Sequence, residues 1–134
     1  MRLEVEKRLP IYEPTVQHIE KNLLSLKSYR SPSFAALIDD NDDYIQVAGG
    51  GGVCGIERYN AKSGELFRAV SQETSSVFTE NTTLLFGGNQ IVLRPDEWFT
   101  IKHATAAFFT FNLGDKMAGL TWRDITDLIV PKSA

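Results

Sequence analysis

The stretch YIQVAGGGGVCGIERY, residues 44–59, contains two short apolar runs on either side of four consecutive glycines. Such runs are typical of two antiparallel strands joined by a tight turn, and glycine adopts the positive φ that many turns require. The alternative is a phosphate-binding loop, which needs a helix after the glycines so that free N–H groups face the phosphate. Residues 53–59 instead have a strand pattern and contain no Lys-Ser or Lys-Thr pair. The stretch therefore predicts a glycine-tipped hairpin, whose bare tip lets another backbone come close.

The segments around this hairpin extend the pattern into a sheet. Further short runs bounded by turn-forming residues lie at 34–39, 65–70, 83–86 and 90–93. Because the connections between successive runs are too short for parallel crossovers, these runs predict an antiparallel meander. The remaining predicted pieces are a loop at 71–81, a last strand at 118–122, and a short strand or turn at 123–130.

Two helices are predicted beside this meander. From Thr15 to about Lys27 the apolar residues recur at steps of three and four, and the helix is expected to start between residues 13 and 15. The same period returns after Thr100, a suitable N-cap, and stops near Gly114, a suitable C-terminal residue. We therefore expect an α+β fold in which both helices pack on the sheet, and 134 residues suit a single domain over 1–134.

Charge and hydropathy restrict the class of partner. The chain has 14 Lys and Arg residues against 17 Asp and Glu residues, a formal net charge of −3. A nucleic-acid partner is not expected, because binding one needs a basic face. The longest apolar run, residues 104–111, is far shorter than the roughly 18 residues that cross a bilayer. The N-terminus alternates charged with apolar residues instead of forming a signal sequence, and Cys54 is the single cysteine, so a cytoplasmic protein is expected.

The segment DDNDDY, residues 39–44, resembles the start of a calcium-binding loop. The sixth position of such a loop should be glycine and is Tyr44, and the twelfth should be glutamate and is Gly50. A solvated turn between strands is the better interpretation, since Asp and Asn favour turns. Four carboxylates in five residues would attract a basic partner, because complementary charge speeds encounter.

Residues capable of catalysis are few. Cys54 has His103 as a possible base, but it lies in an apolar run where a buried structural cysteine is the commoner case. His18 and His103 are the only histidines, too few for a convincing zinc site. Glu57 and Arg58 are neighbours on a predicted strand and so point to opposite faces. No catalytic set, cofactor or metal is predicted.

Three segments taken in order resemble a known family: residues 44–59, GGNQIVLRPDEWFTIKHATAAFFTF (87–111) and AGLTWRDI (118–125). They are similar to the deaminase-associated immunity proteins, the first numbered immunity family of bacterial polymorphic toxin systems. The resemblance implies a non-catalytic cytoplasmic α+β protein that binds the C-terminal domain of a cognate toxin, often a nucleic-acid deaminase and sometimes a nuclease. Four glycines in a row and the tail after Trp122 are unusual for that family.

The resulting hypothesis is an immunity protein that occludes the active or substrate-binding surface of its toxin. The family pattern assigns no contact residues, so those expected to bind the partner are chosen from composition and position: Asp40, Asp42, Asp43, Tyr44, Glu57 and Trp98. Two alternatives remain. One is a small-molecule-binding or enzymatic domain that uses the glycine hairpin with Cys54 and His103, and the other is a structural subunit of a larger assembly.

Overall fold

The predicted order of helix, strands, helix and strand is present, with two further strands before it and a short third helix after it. A computed structural model of the chain describes residues 1–71, 81–87 and 89–129. Its elements are β1 (Arg2–Val5), β2 (Ile11–Tyr12), α1 (Val16–Leu24), β3 (Phe34–Ile38), β4 (Tyr44–Gly50), β5 (Val53–Asn60), β6 (Glu65–Val70), β7 (Thr82–Phe86), β8 (Asn89–Leu93), α2 (Ile101–Asn112), β9 (Thr121–Asp124) and α3 (Thr126–Ile129).

Seven strands form one antiparallel sheet in the order β2-β1-β3-β4-β5-β6-β9, while β7 and β8 form a separate hairpin. The predicted meander is present in β3 to β6, and the predicted α+β class is confirmed. The runs at 83–86 and 90–93, predicted as part of the meander, instead pair with each other in β7 and β8. The glycine stretch joins β4 to β5 with Gly50 opposite Val53, so the predicted glycine hairpin is also confirmed.

The two faces of the sheet are covered differently. On the helix face, α1 and α2 pack over strand side chains such as Leu37, Val47 and Ile56, and the main core forms there. On the opposite face, the hairpin face, β7 and β8 cover only part of the sheet. Phe86 stacks on Phe34 at 4.8 Å between ring centroids, and Leu93 packs over Gly55. The hairpin face is therefore left partly open.

Both predicted helix starts are confirmed by their caps. Thr15 and Thr100 each accept a hydrogen bond from the backbone N–H three residues on, while the histidine at that position, His18 or His103, accepts one from the backbone N–H of the threonine. This is a capping box in which histidine takes the place usually held by Glu or Gln. Both histidines of the chain are thus used to begin helices.

The predicted boundaries are wrong at several places. The N-terminal alternation of charged and apolar residues is a strand, β1, with Leu3 and Val5 in the core. Helix α1 ends at Leu24 instead of near Lys27 because Ser25 caps it. Strand β9 starts at Thr121 because Ala118 and Gly119 adopt positive φ in a turn. Residues 126–129, predicted as a short strand or turn, form a helix. Of the predicted loop at 71–81, residues 72–80 lie outside the described residues.

Candidate functional site

A row of polar side chains crosses the hairpin face where four strands are in register. Gln46 of β4 lies opposite Glu57 of β5, Glu57 opposite Arg68 of β6, and Arg68 opposite Arg123 of β9. Gln46 Nε2 donates to Glu57 Oε1 at 2.7 Å, and Arg68 Nη2 donates to Glu57 Oε2 at 2.9 Å. Glu57 and Arg68 are only 6% and 7% exposed, so this ion pair is a buried one.

Two acidic residues of the turn after β8, Asp96 and Glu97, bind the arginines of this row. Glu97, 2% exposed, accepts from Arg68 Nη1 at 3.4 Å and from Arg123 Nη1 at 2.8 Å. Its Oε1 also accepts the backbone N–H of Arg94 at 2.8 Å. Asp96 Oδ2 accepts a hydrogen bond from Arg123 Nη2 at 2.6 Å. This hydrogen bond is the main reason that the pKa of Asp96 is lowered. The network ties β4, β5, β6, β9 and the turn together.

Beside this network the hairpin leaves a groove of about 500 Å³ between β8 and strands β4 to β6. The residues that line it are Tyr44, Gln46, Glu57, Leu66, Arg68, Phe86, Gln90, Ile91 and Val92. Tyr44 also stacks on Tyr59, with ring centroids 5.1 Å apart. Burial, followed by the nearby Glu57 carboxylate, raises the pKa of Tyr44, so its hydroxyl keeps its proton at neutral pH. The groove therefore has the Tyr44 ring as one wall, and the ion pair of Glu57 and Arg68 forms its floor.

The acidic turn before Tyr44 has two kinds of carboxylate. Asp39 accepts the backbone N–H groups of Asn41 and Asp43, and Asp43 accepts that of Ala61 at 2.8 Å. Lys116 contacts both Asp39 and Asp43, at 2.9 Å in the second case. Asp40 and Asp42 are exposed. Two of the four carboxylates therefore hold the turn, and the other two face solvent.

The structure brings some of the predicted partner-binding residues together. Tyr44 and Glu57 line the same groove, whereas Asp40 and Asp42 line a separate depression beside Met1 and Arg2. Asp43 contacts Ala61 and Lys116 of other segments, Glu57 is buried in the ionic row, and Trp98 lies half-buried in the segment before α2. The prediction that Glu57 and Arg58 face opposite ways holds, since Arg58 lies over the rings of Phe67 and Trp122 while Glu57 faces the hairpin.

Sequence reasoning missed the partners of Glu57. Gln46, Glu57 and Arg68 are spaced eleven residues apart, and the two hairpins put them side by side. Pairing the predicted strands in register would have found this row. Glu97 and Arg123 have no such signal, because their place depends on how the turn after β8 folds back over the sheet.

The residues of the enzymatic alternative have structural roles. Cys54 is fully buried, and its thiol donates to the Phe99 carbonyl at 3.2 Å. Burial raises the pKa of Cys54 to about 12, so the reactive thiolate is scarce at neutral pH. His103 is exposed, and its Nδ1 accepts the backbone N–H of Thr100 at 3.2 Å. Cys54 is therefore hydrogen-bonded to the Phe99 carbonyl, and His103 to the N-cap of α2.

Within residues 1–71, 81–87 and 89–129, no group of three or more His, Cys, Asp or Glu side chains is placed to hold a metal ion. No helix in the same ranges combines the length and the apolar character needed to span a bilayer. No protein-family model matches the sequence, and no curated protein matches it. The resemblance to the immunity family therefore stays a hypothesis that rests on the three quoted segments.

Proposed function

We propose that the protein is a cytoplasmic immunity protein that binds the C-terminal domain of a cognate bacterial toxin and occludes its active or substrate-binding surface. The toxin chemistry that fits the resemblance is nucleic-acid deamination, with nuclease activity second. The observation that carries the proposal is the groove on the hairpin face, where Tyr44 forms an aromatic wall beside the paired Glu57 and Arg68. Asp40 and Asp42 are exposed in the turn that precedes Tyr44 in the chain.

Charge supports this choice of partner. A toxin domain that acts on nucleic acid needs a basic surface to hold phosphates, and an acidic inhibitor is attracted to that surface. The chain has a net charge of −3. Lys116 contacts Asp39 and Asp43 but neither Asp40 nor Asp42, and the exposed Asp40 lies 3.7 Å from the N-terminal ammonium. Long-range attraction of this kind acts mainly on the rate of association.

The rigidity of the groove also supports a binding role. Its floor is the ion pair of Glu57 and Arg68, and Arg68 Nη1 also donates to the Val92 carbonyl of β8 at 3.1 Å. One guanidinium thus connects the floor of the groove to its β8 wall. A surface that is ordered before binding loses less conformational entropy when a partner arrives. Aromatic side chains such as Tyr44 are common at the energetic centre of interfaces.

The direct experiment is co-purification. The protein and the product of its adjacent gene are expressed together, with an affinity tag on the adjacent-gene product only. We expect a stable complex, because neutralisation by occlusion requires the inhibitor to stay on the toxin. Separate elution of the two proteins at low and at physiological salt would contradict the proposal.

Neutralising the two exposed acids should slow association. The D40N/D42N variant raises the net charge by two and leaves Asp39 and Asp43 in place, and Asn tolerates the positive φ of 64° at position 42. We expect the association rate with the adjacent-gene product to fall by about tenfold at low ionic strength. The matched control is Glu20→Lys, which adds the same charge on exposed α1. Equal rates for both variants in stopped-flow fluorescence would remove the acidic turn from the interface.

A further inference from the structure

The strand β8 has an outer edge whose direction can be read from its pairing. Facing residues of β7 and β8 include Leu84 with Ile91 and Phe86 with Asn89. The carbonyl of Val92 points away from β7, because it accepts from Arg68 Nη1 of the main sheet. In an antiparallel ladder the N–H and C=O of one residue point to the same side, and this side alternates along the strand. The backbone groups of Gln90 therefore also point away from β7.

This outer edge lies over the groove. Gln90, Ile91 and Val92 form one wall, and Tyr44 and Leu66 belong to the opposite side. Gln90 and Val92 each direct one N–H and one carbonyl outward. Within the described residues, the Val92 carbonyl is the only one of these four groups with a hydrogen-bond partner. An open strand edge of this kind is a template for pairing with another chain. The hairpin is thus a two-stranded second layer over a seven-stranded sheet, with room beside it.

We propose that the groove receives an extended segment of the toxin domain, which pairs with the outer edge of β8 as a third strand of the second layer. This inference rests on the proposed function and names the contact through which it acts. Pairing with a strand edge supplies affinity through main-chain hydrogen bonds, and alternate side chains enter pockets that select the sequence.

The walls of the groove define the chemistry of that segment. The side chains that face the sheet are apolar, because Glu57 and Arg68 are already paired and a further buried charge would have no counter-ion. They pack on the Tyr44 ring and on Leu66. The occupant is an extended segment with apolar residues at alternate positions.

Removing one backbone N–H from the edge tests the pairing. Gln90→Pro deletes the outward N–H but keeps the hydrogen bonds to β7, since proline is tolerated on an edge strand. Gln90→Ala is the matched control, because it removes the same side chain and keeps the N–H. We expect Gln90→Pro to bind the adjacent-gene product about tenfold more weakly, or worse, by calorimetry. Gln90→Ala should bind within about threefold of the parent protein. Thermal unfolding of both variants checks that they are folded.

Amide hydrogen exchange of the parent protein gives a test that does not depend on a variant. The amides of Gln90 and Val92 should exchange quickly in the free protein, the amide of Ile91 slowly, and all three slowly in the complex. Slow exchange at Gln90 and Val92 in the free protein, or equal affinities for Gln90→Pro and Gln90→Ala, would overturn the strand pairing and leave the proposed function standing. Failure of the parent protein to bind the adjacent-gene product would overturn both proposals.

Discussion

Gly50→Ala should destabilise the protein by about 3 kcal/mol, the upper part of the range for overpacking a core. A Cβ atom at this position would lie 2.1 Å from the backbone oxygen of Leu26 and 2.5 Å from its carbonyl carbon. Backbone at the end of α1 cannot move aside as a flexible side chain can. Position 50 therefore requires glycine, because the backbone of Leu26 passes directly against the β4–β5 hairpin there. Urea unfolding measures the loss.

The same run of glycines supplies the control. A Cβ on Gly52 would meet nothing within 4 Å, and the residue does not have a positive φ. Gly52→Ala should leave stability unchanged or raise it by about 0.5 kcal/mol, because alanine restricts the unfolded chain. Equal unfolding free energies for the two alanine variants would show that the Leu26 backbone does not pack tightly against Gly50.

Replacing Arg68 with methionine should cost about 3–5 kcal/mol, the usual cost of removing one partner from a buried ion pair. Methionine keeps much of the side-chain length, so the main change is electrostatic. In this variant Glu97 would still accept a hydrogen bond from Arg123 at 2.8 Å, whereas the partner left to Glu57 would be the uncharged side-chain amide of Gln46. A carboxylate that is 6% exposed would then be left without a counter-ion. This loss is a large part of the roughly 5–15 kcal/mol that stabilises a typical domain.

Two further variants separate charge from packing. Arg94→Met removes an exposed arginine from the neighbouring turn and should change the unfolding free energy by less than about 0.5 kcal/mol. The double variant Glu57→Gln with Arg68→Met removes the uncompensated charge and should recover most of the loss. If the double variant is as unstable as Arg68→Met alone, the effect of Arg68 comes from its packing and its bond to Val92.

Much of the fold could be predicted because its signals are local. Thr15 and Thr100 mark helix starts through their side-chain chemistry, and the glycines and the 39–43 turn mark hairpins. Strand β1 was missed because four residues of alternating charge give a weak pattern, and its place beside β3 depends on distant pairing. The start of β9 depends on positive φ at Ala118, a conformation that is uncommon for alanine and that its sequence does not signal.

The candidate site could be predicted only in part. The exposure of Asp40 and Asp42 could be predicted, because a turn between strands places residues at the surface. The buried state of Glu57 could not be found this way, since it results from strand register and from Glu97 and Arg123 arriving from later elements. The groove itself is a consequence of where β7 and β8 lie on the sheet. That arrangement is set by long-range contacts such as Leu93 on Gly55.

The ionic row and the groove have different roles on the hairpin face: the row holds the strands in place, and the groove is the proposed contact surface. Arg68 fixes β8 to the sheet through the Val92 carbonyl and leaves the edge at Gln90 open. The acidic turn directly precedes Tyr44 in the chain, and its exposed acids Asp40 and Asp42 line a separate depression with Met1 and Arg2. The proposed inhibitor thus has a rigid strand edge for affinity and an acidic turn for fast capture.

The most direct measurement of the central claim is growth of bacterial cells that express the adjacent-gene product, with and without this protein. The proposal predicts that the toxin domain alone stops growth and that the protein restores it in proportion to its amount relative to the toxin. A stoichiometric dependence is expected because occlusion consumes one inhibitor for each toxin molecule. Growth arrest that persists when the protein is in molar excess and folded would contradict the account.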